Sequence, residues 1–453
     1  MNMMTTKTAA AITGGAMRGD AVGFDRVCTD SRKIRPGDLF IALRGEHFDG
    51  HRYAQAALNA GAAAVMVDSN DEGLAEPAVV VADTRLALGV LAAQWRKDMR
   101  ARIVGVTGSS GKTTVKEMLA SILRAAAGDE AVLATTGNLN NDIGMPLTLL
   151  ALNEKHRYGV IEMGMNHSGE LSYLSRLACP DVALINNAGA AHIGMLGSLQ
   201  AIAEAKGEIL TGCAETGTVI LNADDSYAPL WRQLAADKKA VEFGIDSTAA
   251  AIRGQYEGHA EYSDIRLDLA GDERTLRLPV PGKHNVMNAL AAAAAAWALS
   301  VPAEAIVAGL QEFGGIYGRL QKKAGCNGAV VIDDTYNANP DSVRAAISVL
   351  AAVPGTRLLV LGDMGELGDN ALHAHAEIGA YARQAGIEGV YTLGQLSRET
   401  AAAFGVGAQH FGDVAELCAA LQLKMAAGVT VLVKGSRFMR MERIIERVGL
   451  DHD

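Results

Sequence analysis

The sequence predicts an α/β protein of three domains: a small α/β domain, a central domain with a mostly parallel sheet, and a second parallel-sheet domain. The first observation is length, because 453 residues suffice for about three domains. The second is composition, with 49% hydrophobic and 20% charged residues, as in ordinary globular proteins. The third is that short apolar runs alternate with helical patterns. We place the domains at residues 1–83, 84–314 and 315–453.

Charge and composition limit the class of protein. A net charge of −10 argues against nonspecific nucleic-acid binding, although a local positive pocket for an anionic substrate stays possible. The five cysteines are scattered and form no Cys-x-x-Cys pair, so we expect no disulfide framework, no zinc site and a reducing cytoplasm. The longest apolar run, residues 289–299, is too short for a membrane span of about 20 residues. Because no segment has a large apolar face, we expect a monomer.

The first domain has predicted strands at residues 38–43, 62–67 and 78–82, with a helix at 53–60. Polar clusters lie between these elements and fit turns, which is the plainer interpretation. The same clusters also offer several hydrogen-bond donors for a phosphate or a nucleotide. The candidate donors are Ser31, Arg32, Arg44 and His51.

The central domain opens with a predicted helix at residues 84–100 and a strand at 103–106. A glycine-rich turn, a lysine, two threonines and a second helix follow. This order is typical of a phosphate cradle, in which loop N–H groups and a helix N-terminus bind the anion. In such a cradle the lysine reaches the phosphates and the first threonine holds Mg²⁺. The candidate residues are Gly108, Ser109, Ser110, Gly111, Lys112, Thr113 and Thr114.

The cradle does not fit the common pattern Gly-x-x-x-x-Gly-Lys-[Ser/Thr]. That pattern needs glycine at position 106, which is Val106. A glycine-rich turn with a surface lysine is the alternative interpretation. Because a strand and a helix flank the turn, we predict a nucleoside triphosphate site of a variant type.

Polar residues follow the next predicted strands of the central domain. A loop with Asn138, Asn140 and Asn141 either caps turns or binds ligand oxygens. Glu162 ends a buried strand, where it either begins a loop or binds Mg²⁺ opposite the cradle. His192 follows another strand and fits a structural or a functional role equally well. The sequence alone makes Lys206 an ordinary helix lysine.

The rest of the chain continues the pattern. Residues 240–280 are expected to form short antiparallel strands, and residues 289–299 a buried alanine-rich helix. Strands predicted near 329–332, 358–361, 389–393 and 429–433 alternate with helices, which indicates a Rossmann-like C-terminal domain. Polar loops follow these strands, so the carboxyl edge of this sheet is expected to face a ligand. No Gly-x-Gly-x-x-Gly is present, so we predict no dinucleotide.

These motifs closely resemble the ATP-dependent Mur ligases of bacterial cell-wall synthesis. That family has a Thr-Gly-x-x-Gly-Lys-Thr-Thr loop, which accounts for the misfit at Val106. The resemblance covers nearly the whole chain. Its most specific stretches are TGSSGKTTVKE (107–117), GNLNNDIGMP (137–146), EMGMNHSGE (162–170), AHIGMLGS (191–198), DDTYNANP (333–340) and LGDMGELG (361–368).

The resemblance implies a cytoplasmic, ADP-forming ligase that uses ATP and Mg²⁺. The stretches are those of the family member that joins D-alanyl-D-alanine to UDP-N-acetylmuramoyl-tripeptide, and the Asp-Asn-Pro-Arg signature of the diaminopimelate-adding member is absent. The implied reaction passes through an acyl phosphate. The first domain is implied to bind the UDP substrate, the central domain ATP, and the C-terminal domain the incoming dipeptide. Domain closure about residues 83 and 314 is expected.

The resemblance also implies roles for single residues. Lys112 and the loop N–H groups hold the phosphates, Thr113 and Glu162 bind one Mg²⁺, and His192 binds a second. Lys206 is implied to be carbamylated, which converts a cation into an anion that ligates Mg²⁺. Lys112, His192 and Lys206 are thus the implied catalytic residues. The implied nucleotide contacts outside the cradle are Asn288, Arg319, Asp334, Tyr336 and Asn339.

Two alternatives are kept. The first is a sibling ligase that adds a single amino acid. The second is a nucleotide-dependent switch protein without ligase chemistry, although the absence of an Asn-Lys-x-Asp motif disfavours a GTPase.

Overall fold

The computed structural model describes residues 3–68, 75–191, 193–236 and 238–450. Within these residues, three large sheets of five, nine and six strands follow one another along the chain. Their strands are mostly parallel and alternate with helices, which confirms the predicted α/β class. No helix in the described part of the chain is long and apolar enough to cross a membrane.

The first sheet has the strand order β2-β9-β8-β5-β4, and β2 is its antiparallel edge strand. The elements of this part are β1 (Met4–Thr5), α1 (Thr6–Thr13), β2 (Ala16–Arg18), β3 (Gly23–Phe24), β4 (Arg26–Cys28), β5 (Asp38–Ile41), β6 (Arg44–Gly45), β7 (Phe48–Asp49), α2 (Ala54–Asn59), β8 (Ala64–Val67) and β9 (Ala78–Val80). The predicted strands and helix correspond to β5, α2, β8 and β9. Strands β1–β4 were not predicted, because two or three residues carry too little periodicity.

Helix α3 (Thr84–Asp98) connects the first sheet to the second. Asp83 caps it by accepting hydrogen bonds from the backbone N–H groups of Arg85 and Leu86. Leu88 and Leu91 of α3 belong to one hydrophobic cluster with residues of both sheets. The hydrophobic core is therefore continuous across residue 83, and the domain boundary expected there stays a prediction.

The second sheet has the order β11-β12-β10-β13-β14-β15-β16-β17-β18. Its strands run parallel as far as β16, after which β16, β17 and β18 form an antiparallel meander over residues 252–278. The prediction of antiparallel strands for residues 240–280 is therefore wrong for its first strand, residues 239–244, which is parallel to both neighbours. The elements are β10 (Arg102–Thr107), α4 (Lys112–Ala127), β11 (Val132–Ala134), α5 (Gly144–Leu150), β12 (Tyr158–Glu162), α6 (Glu170–Ala178), β13 (Val182–Ile185), α7 (Ile193–Leu196), α8 (Leu199–Gly207), β14 (Thr218–Asn222), α9 (Ala228–Ala235), β15 (Lys239–Gly244), β16 (Ile252–Gly258), β17 (Ser263–Leu269), β18 (Asp272–Leu278), α10 (Lys283–Ala298) and α11 (Ala303–Gln311).

The second sheet is buried on both faces, which explains its continuous apolar strands. Successive residues of a strand point to opposite faces, so Ile103 packs with α3, α5 and α6 while Val104 packs with α4, α10 and α11. The predicted alanine-rich helix is α10, and residues 289–296 of it are buried. Small side chains there allow α10 to lie close to the sheet.

Trp231 provides a test of this packing. It lies on α9 with 0% exposure, and its indole N–H donates to the carbonyl of Ala203 at 2.9 Å. Truncation leaves a large cavity and removes this hydrogen bond, so Trp231→Ala is expected to cost about 3–5 kcal/mol of unfolding free energy. This loss of unfolding free energy is measured by urea unfolding that is monitored by circular dichroism. Leu234→Ala, at a site on the same helix that is 46% exposed, is the control and should cost far less. Equal losses in both variants would contradict the packing described.

The third sheet has the order β19-β20-β24-β21-β22-β23 and is parallel apart from the edge strand β19. Its elements are β19 (Gln321–Ala324), β20 (Val330–Asp334), α12 (Pro340–Ala351), β21 (Thr356–Gly362), α13 (Ala371–Gln384), β22 (Gly389–Leu393), α14 (Arg398–Phe404), β23 (Ala408–Phe411), α15 (Val414–Gln422), β24 (Val429–Lys434) and α16 (Glu442–Val448). The four predicted strands correspond to β20, β21, β22 and β24. The edge strands β19 and β23 were not predicted, since they expose polar side chains.

Candidate active site

A cleft of about 1100 Å³ lies between the second and third sheets, at the carboxyl ends of strands in both. Its walls come from the glycine-rich loop after β10, the loops after β12 and β13, the start of α10, and the loop between β20 and α12. Ligands of open α/β sheets bind at this edge, because the strand ends leave a crevice there. The cleft is therefore the candidate active site.

The glycine-rich loop has the geometry of a phosphate cradle. Gly111 has a φ of 79°, and a Cβ atom there would lie 2.3 Å from Oδ1 of Asn288, so only glycine fits. Helix α4 begins directly after it, at Lys112. Nζ of Lys112 donates to the carbonyl of Gly108 at 2.6 Å. The loop and the N-terminus of α4 thus present N–H groups and a cation to the cleft.

Two asparagines after β13 brace this loop, a role that sequence reasoning missed. Oδ1 of Asn187 accepts from the backbone N–H of Ser110 at 2.9 Å. Nδ2 of Asn186 donates to the carbonyl of Ser110 and to Oδ1 of Asn288, at 3.0 and 2.9 Å. Asn288 was predicted to contact nucleotide and lies beside the loop as expected. The sequence signal for this role was the pair of consecutive asparagines directly after a buried strand.

Glu162 lies against the cradle. Its Oε2 accepts from the hydroxyl of Thr113 at 2.9 Å, and its Oε1 accepts from Nδ2 of Asn140 at 2.8 Å. The carboxylate is buried, at 3% exposure.

The other two asparagines of the loop that holds Asn140 do not contact Glu162. Asn141 accepts from the N–H groups of Ile143 and Gly144 at the start of α5. The third candidate of that loop, Asn138, is exposed and does not line the cleft. The structure therefore brings Asn140, and not Asn138, to the carboxylate.

Lys206 is buried in α8 with 0% exposure. Among the residues that the structure describes, none accepts a hydrogen bond from its Nζ. Burial lowers the pKa of Lys206 well below its ordinary value, and the charge of Lys112 lowers it further, against the effect of Glu170 and Glu208. Burial therefore favours the uncharged form of the Lys206 amine. Another predicted catalytic residue, His192, lies outside the described residues.

The C-terminal domain contributes directly to the cradle. Nη2 of Arg319 donates to the hydroxyl of Thr113 at 2.9 Å, and its guanidinium lies 4.5 Å from the ring centre of Tyr336. Nδ2 of Asn339 donates to the hydroxyl of Ser110 at 3.1 Å. The structure therefore brings two predicted nucleotide contacts, Arg319 and Asn339, to the cradle from far along the chain, and it places a third, Tyr336, against Arg319.

Asp334 also lines the cleft, but its carboxylate already has a cation. Nζ of Lys434 lies 2.5 Å from its Oδ2 and also donates to the carbonyl of Asn337 at 2.9 Å. Burial raises the pKa of Asp334, while Lys434 and Arg319 lower it. Lys434 was not predicted as a site residue. Its position at the carboxyl end of β24 was the only signal in the sequence.

Part of the lining of the cleft is apolar. Phe313, Ile316 and Ala346 belong to this lining, and His284 also lines the cleft. Burial lowers the pKa of His284 to about 4, and the charge of Lys434 acts in the same direction. The imidazole is therefore neutral near pH 7. An apolar lining with a neutral imidazole suits a planar, uncharged ring better than a phosphate.

The candidates of the first domain lie elsewhere. Arg44 pairs with Asp49 and Asp68, at 2.6 and 2.8 Å, and Nδ1 of His51 lies 2.7 Å from Asp49. Arg32 is mostly exposed and pairs with Asp30, while Ser31 begins a short 3₁₀ turn. These residues do not line the cleft. The structure brings Arg44 and His51 together, but it leaves their predicted ligand role untested.

Three family models match three successive parts of the chain. The description "Mur ligase family, catalytic domain" matches residues 24–96, "Mur ligase middle domain" matches 106–296, and "Mur ligase, glutamate ligase domain" matches 318–437. The chain belongs to the Mur ligase family. The resemblance seen in the sequence motifs is thereby confirmed.

Relatives of this Mur ligase cover its full length. UDP-N-acetylmuramoyl-tripeptide–D-alanyl-D-alanine ligases of Escherichia coli (strain K12) and Haemophilus influenzae are both 42% identical to it, over 98% of each chain. The structure named MurF from Acinetobacter baumannii has a TM-score of 0.92 at 36% identity, covering 98% of both chains. The MurF ligase of Thermotoga maritima, solved in complex with ADP, has a TM-score of 0.83 at 26% identity and covers 93% of this chain and 96% of its own.

The two sheets of this Mur ligase also meet outside the cradle. Oδ2 of Asp341, at the start of α12, accepts from the backbone N–H of Ala190 at 3.0 Å. A Cβ atom at Gly189 would lie 2.2 Å from the same oxygen, so glycine allows this close approach. The hydroxyl of Ser109 in turn donates to the carbonyl of Gly189 at 3.1 Å. Asp341 therefore connects the C-terminal domain to the loop that supports the cradle.

We expect Asp341→Ala to weaken domain closure. The variant removes one hydrogen bond to a charged acceptor at an exposed position, worth about 1 kcal/mol, or roughly a fivefold loss of the closed population. Small-angle X-ray scattering with ATP and the UDP-linked peptide should show less compaction than in the wild-type enzyme. Glu416→Ala, at another first-turn acidic position of the same domain, is the control. Unchanged compaction in Asp341→Ala would count against this role.

Proposed function

We propose that the chain is an ATP-dependent, ADP-forming ligase that joins D-alanyl-D-alanine to UDP-N-acetylmuramoyl-tripeptide. The product is the UDP-muramoyl-pentapeptide precursor of peptidoglycan. One observation carries this assignment: ligases of that name are 42% identical over 98% of the chain. The similarity therefore includes the C-terminal domain, which is expected to select the incoming group. The comparisons support neither the single-amino-acid sibling nor the switch protein.

The cleft is suited to ATP. The cradle of residues 108–114 provides N–H groups and Lys112 for the phosphates, and the apolar part of the lining accommodates the base. The Thermotoga maritima relative was solved with ADP. Arg319, Tyr336 and Asn339 complete the proposed site from the C-terminal domain, with Asp334 beside them.

Mg²⁺ is part of the proposal. The hydroxyl of Thr113 and the carboxylate of Glu162 lie next to each other, and both are oxygen ligands of the kind that Mg²⁺ prefers. The described residues hold no group of three or more His, Cys, Asp or Glu that would bind a metal by itself. This fits Mg²⁺, which usually keeps waters and substrate phosphates among its ligands. When bound, it neutralises phosphate charge. A second ion at His192 stays a prediction from the resemblance.

Carbamylation of Lys206 is the second part of the proposal. The uncharged amine attacks CO₂, a nitrogen–carbon bond forms, and one proton is released, which leaves a carbamate anion. Only an unprotonated amine has the free electron pair for this step, and the burial of Lys206 favours that form. The carbamate would provide an anionic oxygen ligand in addition to the carboxylate of Glu162.

The proposed reaction has two steps. The tripeptide carboxylate attacks the γ-phosphate of ATP, which forms an acyl phosphate and releases ADP. The amine of the dipeptide then attacks the acyl carbon, the carbon–oxygen bond to phosphate breaks, and the nitrogen loses one proton, which leaves with the phosphate as hydrogen phosphate. Both steps develop negative charge on oxygen. Lys112, Arg319 and the N-terminus of α4 stabilise that charge because they are held in place beforehand.

ADP release from the purified enzyme tests the proposal. We expect release to require the UDP-linked tripeptide and D-alanyl-D-alanine together, with no comparable rate for diaminopimelate or lysine added to the UDP-linked dipeptide. Release with a single amino acid would favour the sibling, and release that ignores both peptides would favour a switch protein. The cytoplasmic location and monomeric state expected from the sequence stay predictions.

A further inference from the structure

We infer that Arg85 and Asp142 bind the charged end of the third residue of the tripeptide, and that they favour diaminopimelate over lysine at that position. The side chain of diaminopimelate ends in an ammonium and a carboxylate, whereas that of lysine ends in an ammonium alone. The inference rests on the proposed function, since it assigns one group of the proposed substrate to two side chains. It concerns binding and specificity, and it involves no covalent step.

Arg85 and Asp142 form an ion pair in the lining of the cleft. Arg85 lies in the first turn of α3, and Asp142 lies in the loop before α5. The guanidinium donates through Nε to Oδ2 of Asp142 and through Nη2 to Oδ1, the latter at 2.8 Å. The side chains are 55% and 30% exposed, so a ligand in the cleft can reach both charges.

The pair keeps hydrogen-bonding capacity on both sides. Among the described residues only Asp142 accepts from the guanidinium of Arg85, through two contacts, and a guanidinium has further N–H groups beyond these. An ionised carboxylate has about four acceptor sites, of which Arg85 fills two. A cation and an anion side by side, each with free sites, complement a group that carries an ammonium beside a carboxylate. The end of diaminopimelate is such a group.

The other cations of the cleft have different partners. Besides Arg85, the arginines and lysines that line it within the described residues are Lys112, Arg319 and Lys434. Lys112 and Arg319 contact the cradle, and Lys434 pairs with Asp334 at 2.5 Å. Arg85 contacts neither the cradle nor Asp334. Of these cations, it is therefore the one that we assign to a second carboxylate of the substrate.

The position of Asp142 matches the reach of the substrate side chain. Asn140, two residues earlier, donates to Oε1 of Glu162 at 2.8 Å, and Glu162 accepts from Thr113 of the cradle. Two residues of chain span at most about 7 Å. The carboxylate that attacks ATP belongs to the third residue itself, and the charged end of its side chain lies four bonds from Cα, or about 5 Å when extended. A third residue with its carboxylate at the cradle can therefore place that end near Asp142.

The loop that holds Asp142 is fixed in place. Oδ1 of Asn141 accepts from the N–H of Gly144 at 2.8 Å. The carbonyl of Asn140 accepts from the N–H of Gly164, in the loop after β12, at 2.8 Å. A charge held in this way loses little conformational freedom when a ligand binds, which favours affinity.

Steady-state kinetics with two UDP-linked tripeptides test the inference. One tripeptide ends in diaminopimelate and the other in lysine, so they differ by one carboxylate. We expect the wild-type enzyme to prefer the first by about tenfold in kcat/KM, mainly through KM, which is the lower end of the range for a hydrogen bond between charged groups. Arg85→Gln should reduce this ratio to within about twofold of unity, and Arg85→Lys should keep part of it because lysine keeps the charge.

Asp142→Asn should act on both peptides, because both side chains end in an ammonium. We expect KM for each peptide to rise about tenfold, since asparagine keeps the shape of the side chain and removes its charge. A rise in KM for one peptide alone would contradict the assignment of the ammonium to Asp142.

Arg232→Gln is the matched control. Arg232, on α9, also donates through Nε and Nη2 to one carboxylate, that of Glu242, and its side chain is 45% exposed. It does not line the cleft, so its variant should keep the wild-type ratio. The ratio compares two substrates on one protein, so any loss of folded enzyme cancels.

Wild-type turnover with either tripeptide tests the proposed function first, so its failure is distinguishable from failure of the inference. Equal kcat/KM for the two tripeptides in wild-type enzyme would overturn the inference, and so would a wild-type ratio in Arg85→Gln. The second result would show that Arg85 has a structural role or binds a carboxylate that both peptides share. Exposed ion pairs contribute little to stability, so a structural role alone predicts that small effect.

Discussion

Replacing Lys206 by alanine is expected to lower kcat/KM by about 10²–10³-fold or more, the range for removing one preorganised electrostatic group. The amine is fully buried, which favours its uncharged form, and we propose that it becomes an anionic ligand by carbamylation. Alanine removes that anion and leaves a space at the position of the lysine side chain. A short carboxylate such as formate or acetate fits that space, so millimolar amounts should restore part of the rate of ADP formation.

Lys116→Ala is the matched control for the rescue. Lys116 is also buried, at 1% exposure, but its ammonium binds Glu117 and the carbonyl of Thr135 at 2.5 and 2.6 Å. Whatever activity that variant loses, carboxylates should not restore it. In wild-type protein equilibrated with carbon-13 bicarbonate, NMR should show a carbamate carbon that Lys206→Ala lacks. Full activity of Lys206→Ala without rescue would contradict the proposed role.

Replacing Arg319 by alanine is expected to lower kcat by about 10³-fold, the lower end of the range for an arginine that stabilises phosphoryl transfer from a second domain. Arg319 reaches the hydroxyl of Thr113 from the C-terminal domain, so it completes the cradle only when the domains meet. ATP affinity, measured by calorimetry, should fall much less, because Lys112 and the loop N–H groups are unchanged. Arg319→Lys should recover little, since lysine cannot keep the planar stack on Tyr336.

Arg344→Ala provides the control for this second prediction. Arg344 is also in the C-terminal domain, lies 5.1 Å from the ring centre of Tyr381, and pairs with Glu377 at 3.1 Å. The Arg344→Ala variant therefore loses the same kind of ring contact and ion pair as Arg319→Ala, but on the surface, where exposed ion pairs contribute little to stability. Because the lost contacts are weak, the kcat of this variant should stay within about twofold of wild type. A similar loss of kcat in both variants would show that Arg319 acts through stability alone.

The fold was largely predictable because its main strands are buried on both faces. Strands such as β10 and β13 are largely apolar runs that are followed by glycine or asparagine, and this pattern is visible without a structure. The elements that sequence reasoning missed are edge strands such as β19 and β23, whose polar side chains resemble those of loops. Short edge strands are defined by pairing with a neighbour, which the local sequence does not record.

The candidate site was predictable only in part. Thr113 and Glu162 could be placed together, because each lies at or beyond the carboxyl end of a strand of one parallel sheet. The contact between Asp341 and Ala190 could not be predicted, because it depends on how two sheets meet. Lys206 was also misleading, since a lysine between two glutamates on a helix suggests a surface position. Its burial becomes visible only when α8 is packed against its neighbours.

The central claim is that the tripeptide carboxylate is activated by the γ-phosphate of ATP and then joined to the dipeptide. A single turnover experiment with oxygen-18 in that carboxylate tests it most directly. We predict that mass spectrometry will find one labelled oxygen in the released inorganic phosphate and a UDP-linked pentapeptide as the product. Unlabelled phosphate, or label found in a nucleotide instead, would contradict the account.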